Sequence, residues 1–431
     1  MKEIGAFVIV IATIVLFVLS NLFFPKIRLG KMEISSYWIV VLIGALLIIF
    51  TGIVPFNDIV DSFTNSSAVN PLKILVLFIS MTLLSIFLDE FGFFSFLAEA
   101  LAARFSKSQY ALFFALYALI SFLTVFTSND IIILTFTPFL CYFCKRSEIN
   151  PIPYLLMEFV AANTWSMVFI IGNPTNIYLA SFENIGFFAY FKTMILPTIG
   201  ASIVTLFVLF LWFRKDLKAP LKKIEKRGVK LEVLPIAVGL TLLGLATILL
   251  AISSFLNFEM WVISSSFALL AILFLLFYSV KTKKNHLFLV AKKIPWALIP
   301  FVLSMFILVL ALRETRFIRD FSSFLQGFDD TFSYGLAGTL AANLINNIPM
   351  SVLFASLLNG ASVKAIYASI IASNVAAYLT PIGALAGLMW LSLLKKYEVK
   401  MSVPKFIMYG STLSLSALIC ALLILRFVVI I

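Results

Sequence analysis

LTVFTSNDIIILTFTPF, Leu123 to Phe139, lies between two apolar runs and carries Ser128, Asn129 and Asp130 side by side near its middle. An Asp at the centre of a membrane helix costs roughly 2.5 to 3.5 kcal/mol on insertion scales, so such residues face a partner or a water-filled cavity. The stretch around the triplet, Gln109 to Phe143, contains no Lys, Arg or Glu. As one straight helix it would be about 52 Å long, against roughly 30 Å of hydrocarbon. It must fold back, and its two arms of about 20 Å can pass the midplane and return but cannot cross twice. The reading is a re-entrant hairpin with the triplet at its tip.

The composition supplies the solvent. Of 431 residues, 62% are hydrophobic and 12% charged, with 46 Phe and a mean hydropathy of +1.10. A soluble chain could not cover that much apolar surface, so lipid must, and the class is an all-α polytopic membrane protein. The opening apolar run shows no small-residue cleavage site and is read as a retained helix. The net charge of +12 would suggest nucleic acid in a soluble protein, but here Lys and Arg cluster in short loops and report orientation. Cys141, Cys144 and Cys420 form neither a disulfide framework nor a metal-ligand pattern.

Helical spans fall at about 4 to 24, 36 to 55, 71 to 89, 191 to 213, 233 to 253, 259 to 280, 296 to 312 and 406 to 431. With the interrupted stretches between them, about ten spanning helices are expected. Basic loops set the sides: Lys26, Arg28 and Lys31; Arg104 and Lys107; Lys145 and Arg146; and residues 214 to 232, with eight Lys/Arg against three Asp/Glu. The positive-inside rule makes these cytoplasmic and leaves 57 to 70, without Lys or Arg, outside. The first hairpin, about 109 to 144, then opens to the cytoplasm. Beyond the linker the pattern inverts: Lys281 to Lys293 is inside, 313 to 330 outside, and a second short-armed stretch, about 334 to 358, opens to the exterior. The expected domains are a first repeat, 1 to 213, a basic cytoplasmic linker, 214 to 232, and a second repeat, 233 to 431.

Weak self-similarity points the same way. SMTLLSIFLDEFGF at 80 to 93 aligns without gaps to SMFILVLALRETRF at 304 to 317, pairing Glu90 with Glu314, and the Asn163 to Gly172 spacing recurs as Asn374 to Gly383. Two inverted-topology repeats, each with a re-entrant hairpin and a broken transmembrane helix, place a substrate site near the midplane.

Four polar, Gly- or Pro-interrupted stretches occupy corresponding places: Ser128 to Asp130, 162 to 176, Asn343 to Pro349, and 373 to 387. Pro174 and Pro381 break their helices and Gly172 and Gly383 permit an unwound turn. Unwound backbone at membrane depth survives only beside protein or water, and its amides and half-helix ends are ready ligands for ions. Asn163, Asn343 and Asn374 each either hold neighbouring helices together or touch solute. For Asp130, with no apolar stretch supplying a cation, the expectation is titration or cation binding. Glu90, Glu314 and Glu158 are read as snorkelling near helix ends, and His286, among loop lysines, as solvated.

TSNDIIILTFTPF, GNPTNIYLA, NLINNIPMSVLFA and TPIGALAGLMW together resemble the ion transporter superfamily, most closely its arsenite and antimonite permease branch, with sodium/proton antiporters and citrate or dicarboxylate carriers as relatives. The resemblance covers nearly the whole chain. It implies a scaffold domain, a transport domain, a homodimer and solute bound between the hairpin tips. By motif it implies site roles for Ser128, Asn129, Asp130, Gly172, Asn173, Thr175, Asn176, Asn346, Asn347, Thr380 and Gly383, with Ser128, Asn129, Asp130 and Asn176 as a sodium set. Dicarboxylate carriers of the superfamily tend to show Ser-Asn-Thr at the tips. Here the tips read Ser-Asn-Asp and Asn-Asn-Ile, which argues against a dicarboxylate.

The expectation is therefore a secondary transporter in a prokaryotic cytoplasmic membrane, moving a small inorganic solute by alternating access. Proton-coupled arsenite or antimonite efflux comes first, a sodium/proton antiporter second, sodium-coupled carboxylate or anion transport third. No cofactor is expected beyond a coupling proton or sodium, and no nucleic-acid partner. A receptor would need no matched broken-helix sites, and no HExxH-like set or Ser/His pair within the spans suggests an enzyme.

Overall fold

The computed structural model describes residues 2–24, 26–29, 32–64, 70–105, 107–221, 231–313 and 315–430. Lys31, Glu314 and most of the basic linker, 222–230, lie outside the described residues.

The first half runs α1 (Lys2–Phe23), a two-stranded antiparallel ribbon β1 (Lys26–Leu29) and β2 (Met32–Ser35), then α2 (Ser36–Phe50), α3 (Phe56–Thr64), α4 (Pro71–Glu90), α5 (Phe93–Arg104), α6 (Gln109–Phe126), α7 (Asn129–Ser147), α8 (Ile152–Trp165), α9 (Pro174–Phe182) and α10 (Phe187–Phe213). The second half runs α11 (Val233–Ala251), a short turn α12 (Ser253–Leu256), α13 (Met260–Thr282), α14 (His286–Lys293), α15 (Leu298–Arg313), α16 (Arg316–Gln326), α17 (Asp330–Ile345), α18 (Asn347–Leu357), α19 (Val363–Val375), α20 (Leu385–Lys396) and α21 (Val403–Phe427). The order of α4 to α10 recurs in α15 to α21: a long helix, a short one, a hairpin pair, a broken pair and a long helix. The ribbon is the one addition to the all-helical expectation among the described residues.

Among the described residues, eight helices are long and apolar enough to cross a membrane. One of them, α6, turns back at its C-terminus. Setting it aside leaves seven; adding α2 and the two broken helices gives ten crossings. Lipid-facing sides are bare and apolar, with Phe50 81%, Phe277 69% and Leu344 70% exposed, which only a hydrocarbon surround makes tolerable.

Two packing groups divide the molecule. In one, α2 packs on α15 and α13 on α4, with α1 and α11 outside them; in the other, α10 packs on α21, α8 lies on α10 and α17 and α19 on α21, and the other arms pack on these, α6 and α7 on α8, α9 and α18 on α19, and α20 on α7. Polar side chains fix the hairpin mouths. At one end, Tyr110 Oη donates to the Arg214 carbonyl, Gln109 Nε2 to the Ala219 carbonyl at 2.7 Å and Asn150 Nδ2 to Asp216 Oδ1 at 2.9 Å. At the other, Tyr334 Oη donates to the Leu357 carbonyl at 2.6 Å, and the Ser362 amide to Asp330 Oδ2 at 2.7 Å. Arg426, at the far end of α21, pairs with Asp329. The α6–α7 hairpin therefore opens at the end where α21 begins, and α17–α18 opens at the opposite one.

His286 departs from its expectation. It is 5% exposed, with Nδ1 3.5 Å from Glu90 Oε1 and its ring against Phe91 and Tyr278. Glu90 is likewise held in rather than snorkelling, pairing with Lys293 Nζ at 3.1 Å, while Asp89 takes the same ammonium at 2.9 Å and a hydrogen bond from Thr135 of α7 at 3.1 Å.

Candidate binding site between hairpin tips and broken helices

Three of the four helix restarts, those of α7, α9 and α18, are built from a residue that can satisfy the first free amides of a helix. Ser128 Oγ accepts from the Ile131 amide at 3.4 Å, Asn173 Oδ1 from Thr175 at 3.1 Å and Asn346 Oδ1 from Ile348 at 3.3 Å. Pro174 sits at the first position of α9, where a missing N–H costs nothing. Asn346 has φ +77° and ψ 154°, a region that is costly for any side chain and persists only where the surroundings fix it. Ala384, before α20, offers no side-chain cap, so the N-terminal amides of that half-helix keep no side-chain partner of this kind.

The unwound segments are joined by a buried amide and hydroxyl network. Asn374 is its hub: Nδ2 donates to Asn176 Oδ1 at 2.7 Å, while Oδ1 accepts from Ser166 Oγ at 2.8 Å and Asn173 Nδ2 at 3.3 Å. Thr175 Oγ1 meets Asn173 Oδ1 and Ser373 Oγ, both at 3.0 Å. On the first hairpin, Asn129 Nδ2 donates to Asn163 Oδ1 at 2.9 Å, and Ser166 Oγ also donates to the Asn163 carbonyl at 2.9 Å. On the second, the Asn347 amide donates to the Gly383 carbonyl at 3.0 Å, Asn347 Nδ2 to the Ser373 carbonyl and Asn346 Nδ2 to the Ile382 carbonyl. Asn343 Oδ1 accepts from both the amide and the hydroxyl of Thr380.

Thirteen of the fourteen sequence-derived positions thus lie in the caps, the network or the turns it pins. Gly172 and Gly383 are the turns themselves. Ser166 and Ser373 are members the sequence reading missed; each sits in a stretch that reading had singled out, but a lone Ser in a helix carries no signal of its own. Asp130 is not in the network. Its side chain is partly exposed and makes no hydrogen bond or ion pair among the described residues, and the titratable group within electrostatic range is Tyr37, at the start of α2 in the other packing group. Successive helical residues point about 100° apart, so with Asn129 turned to Asn163, Asp130 turns toward the seam between the two groups. The sodium set is likewise divided: both amide hydrogens of Asn176 go to the Ser166 and Phe169 carbonyls and its oxygen accepts from Asn374.

Glu158 corrects its expectation outright. It lies inside α8 and is fully buried, with Thr137 Oγ1 3.1 Å from both carboxyl oxygens and Trp390 Nε1 3.2 Å from Oε2.

Along the seam, a cavity of about 300 Å³ opens between Lys73 of α4, Ser181 of α9 and Trp261 of α13, with Lys73 paired to Glu259 at 2.7 Å. A separate cavity of about 20 Å³ shares Ile74 with it and lies between Phe78, Tyr178, Val302 and Ile348, with Thr175 and Ser351 on its wall. That volume holds about one water, and apolar side chains make most of its wall beside Thr175.

A family model described as citrate transporter matches residues 14–369. The chain belongs to the citrate transporter family. It is accordingly a multi-pass membrane transporter. Within the family's wider superfamily, an arsenical pump membrane protein of Escherichia coli is 26% identical over 408 residues, covering 88% of this chain and 91% of the relative. An arsenical pump membrane protein of Yersinia enterocolitica is 26% identical over 368 residues, covering 80% and 84%. Among solved structures, the Alcanivorax borkumensis YdaH transporter, reported to have an unusual topology, superposes with a TM-score of 0.52 at 14% identity, covering 98% of this chain and 97% of that one. That likeness shows the fold alone.

The hub makes a graded test. Asn374→Ala leaves Asn176, Asn173 and Ser166 short of a partner, at about 1 to 3 kcal/mol for each buried polar group stranded. Ser128→Ala removes one cap, worth about 1 kcal/mol. Thermal unfolding in detergent should therefore fall several-fold further for Asn374→Ala than for Ser128→Ala.

Proposed function

We propose that the chain exports arsenite or antimonite as the neutral hydroxide, against a counter-flow of protons taken by Asp130. The carrying observation is the character of the network: amides, hydroxyls and half-helix N-termini, with no Lys, Arg or His among its members. A small neutral hydroxide both donates and accepts hydrogen bonds, and Asn, Ser and Thr offer both. Citrate carries up to three carboxylates at neutral pH, and desolvating them calls for several basic groups or forked guanidinium contacts. The names of the Escherichia coli and Yersinia relatives support the arsenical reading, whereas the family's description supports a carboxylate. The absence of cations from the network favours the first.

Transport follows from the architecture in this reading. The hairpin and broken-helix group carries the solute across by shifting against the α2–α4–α13–α15 group, and the seam beyond Thr175 opens on one side only. The positive-inside rule places the mouth of α6–α7 in the cytoplasm and that of α17–α18 outside. A homodimer and proton rather than sodium coupling belong to the same proposal. An arsenite-sensitive, efflux-deficient bacterial host decides it: expression should restore growth on arsenite and antimonite while leaving tolerance of high sodium at alkaline pH and growth on citrate unchanged. Rescue on sodium alone would make the chain a sodium/proton antiporter instead.

A further inference from the structure

A second carboxyl lies outside the solute network. Glu158 is fully buried in α8 and touches two other elements: Thr137 on the hairpin arm α7 and Trp390 on α20, 232 residues away. Its hydrogen-bond partners are neutral, and no Lys, Arg or His pairs with it among the described residues. The remaining titratable groups facing this region are Cys141 and Cys144 on α7 and Tyr154 one turn earlier on α8, whose hydroxyl donates to Gln109. Lys145, Lys395, Lys396 and Lys405 stand exposed at helix ends.

The pocket is satisfied in two protonation states. Ionised, Glu158 accepts from the Thr137 hydroxyl and the Trp390 indole. Neutral, its own O–H can donate to Thr137 Oγ1, since a hydroxyl accepts as well as donates, while Trp390 still donates to Oε2. A purely structural clamp would not need a group that costs so much to bury.

A route to water adjoins it. Thr137, Cys141 and Lys145 are spaced by four and lie on one face of α7. Cys141 and Lys145 line a cavity of about 450 Å³ at the basic end, whose far wall is Tyr397 to Lys400, and Lys145 pairs with Glu398 at its rim at 3.5 Å. The cavity thus stops one helical turn short of the Thr137–Glu158 pair.

We propose that Glu158 is a proton-binding site separate from the solute network, exchanging with the basic end of the molecule along the Thr137–Cys141–Lys145 face. Its part in transport rests on the proton-coupled reading above; its protonation does not, and is measured without solute.

Infrared difference spectra of the purified protein between acid and alkaline pH should show a carboxyl C=O band that shifts in D₂O. Glu158→Gln should lose that band and Asp130→Asn keep it, and Cys141→Leu should slow its shift in D₂O several-fold. In proteoliposomes Glu158→Gln, which keeps an oxygen for Thr137 and Trp390, should unfold at the wild-type temperature yet show a shifted pH dependence of transport. A band untouched by Glu158→Gln, or one that does not respond to bulk pH, overturns the proposal whatever the solute proves to be. An unchanged pH profile in Glu158→Gln, with the band lost, overturns its part in transport.

Discussion

Asp130→Asn is expected to abolish gradient-driven transport while leaving the protein folded. Asparagine keeps the shape of the side chain and can still make hydrogen bonds, but it cannot take up a proton. The native carboxyl has no hydrogen-bond partner to lose among the described residues and is partly open at the seam, so the fold should not register the change. Its position explains why transport should. The side chain stands at the first turn of α7, where the positive end of the helix dipole favours an anion by roughly 0.3 to 1 kcal/mol. In the proposed movement it stands where the two packing groups slide, with Tyr37 of the other group within electrostatic range. When the seam is wet, the carboxylate is solvated; when sliding buries it, an ionised carboxylate without a cation is costly and a protonated one is not. In the proposed reading a proton therefore accompanies the movement. In proteoliposomes the variant should show solute exchange at zero gradient and no accumulation when a pH gradient is imposed. Wild-type accumulation with an unchanged pH profile would make Asp130 structural and remove the coupling from the tip.

Much of this architecture is legible in the sequence because lipid simplifies the reading. Apolar runs of bilayer length mark α1, α4, α10, α13 and α21, and a stretch without Lys, Arg or Glu, too long to be one crossing and too short to be two, marks the α6–α7 hairpin. The breaks at Gly172, Pro174 and Gly383 are equally plain, since each residue denies the helix something it needs. Direction and long-range contact are what the linear reading loses. Asp130 and Asn129 are neighbours in the chain, yet one helical step turns them to different surroundings. Glu158 looks near a helix end because Pro151 and Pro153 stand just before it, but α7 and α20 close over it. Trp390, which makes that enclosure, bears no sequence relation to it. His286 stands among lysines in the chain, and Phe91 and Tyr278 bury it from elsewhere. The same cause accounts for Ser166 and Ser373: a hydroxyl becomes part of a site only when another segment is brought to it.

The unwound turns give the second large effect. At Gly172 an added Cβ would stand 2.1 Å from the Ser166 carbonyl oxygen, and at Gly383 2.2 Å from that of Ala376. Both obstacles are backbone atoms, which cannot rotate aside as a long side chain can. Nor can the turns open freely. The Ser166 carbonyl is held by Asn176 Nδ2 at 2.8 Å, and the Gly383 carbonyl accepts from the Asn347 amide at 3.0 Å. Relief of either clash must therefore pull apart the network that ties the broken helices to the hairpins. Gly172→Ala and Gly383→Ala should each lose transport and lower the unfolding temperature steeply, with a destabilisation of several kcal/mol, at the upper end for single substitutions. Gly244, inside α11, supplies the control, because a Cβ there meets nothing within 4 Å. Removing a helix-interior glycine should be worth roughly 0.5 to 1 kcal/mol in stability, so Gly244→Ala should unfold at or above the wild-type temperature and transport normally. Thermal unfolding in detergent alongside proteoliposome flux separates the two cases. If Gly172→Ala and Gly383→Ala behaved like Gly244→Ala, the turns would be slack. A slack turn could not hold Asn173, Thr175 and Asn176 in the register that the site requires.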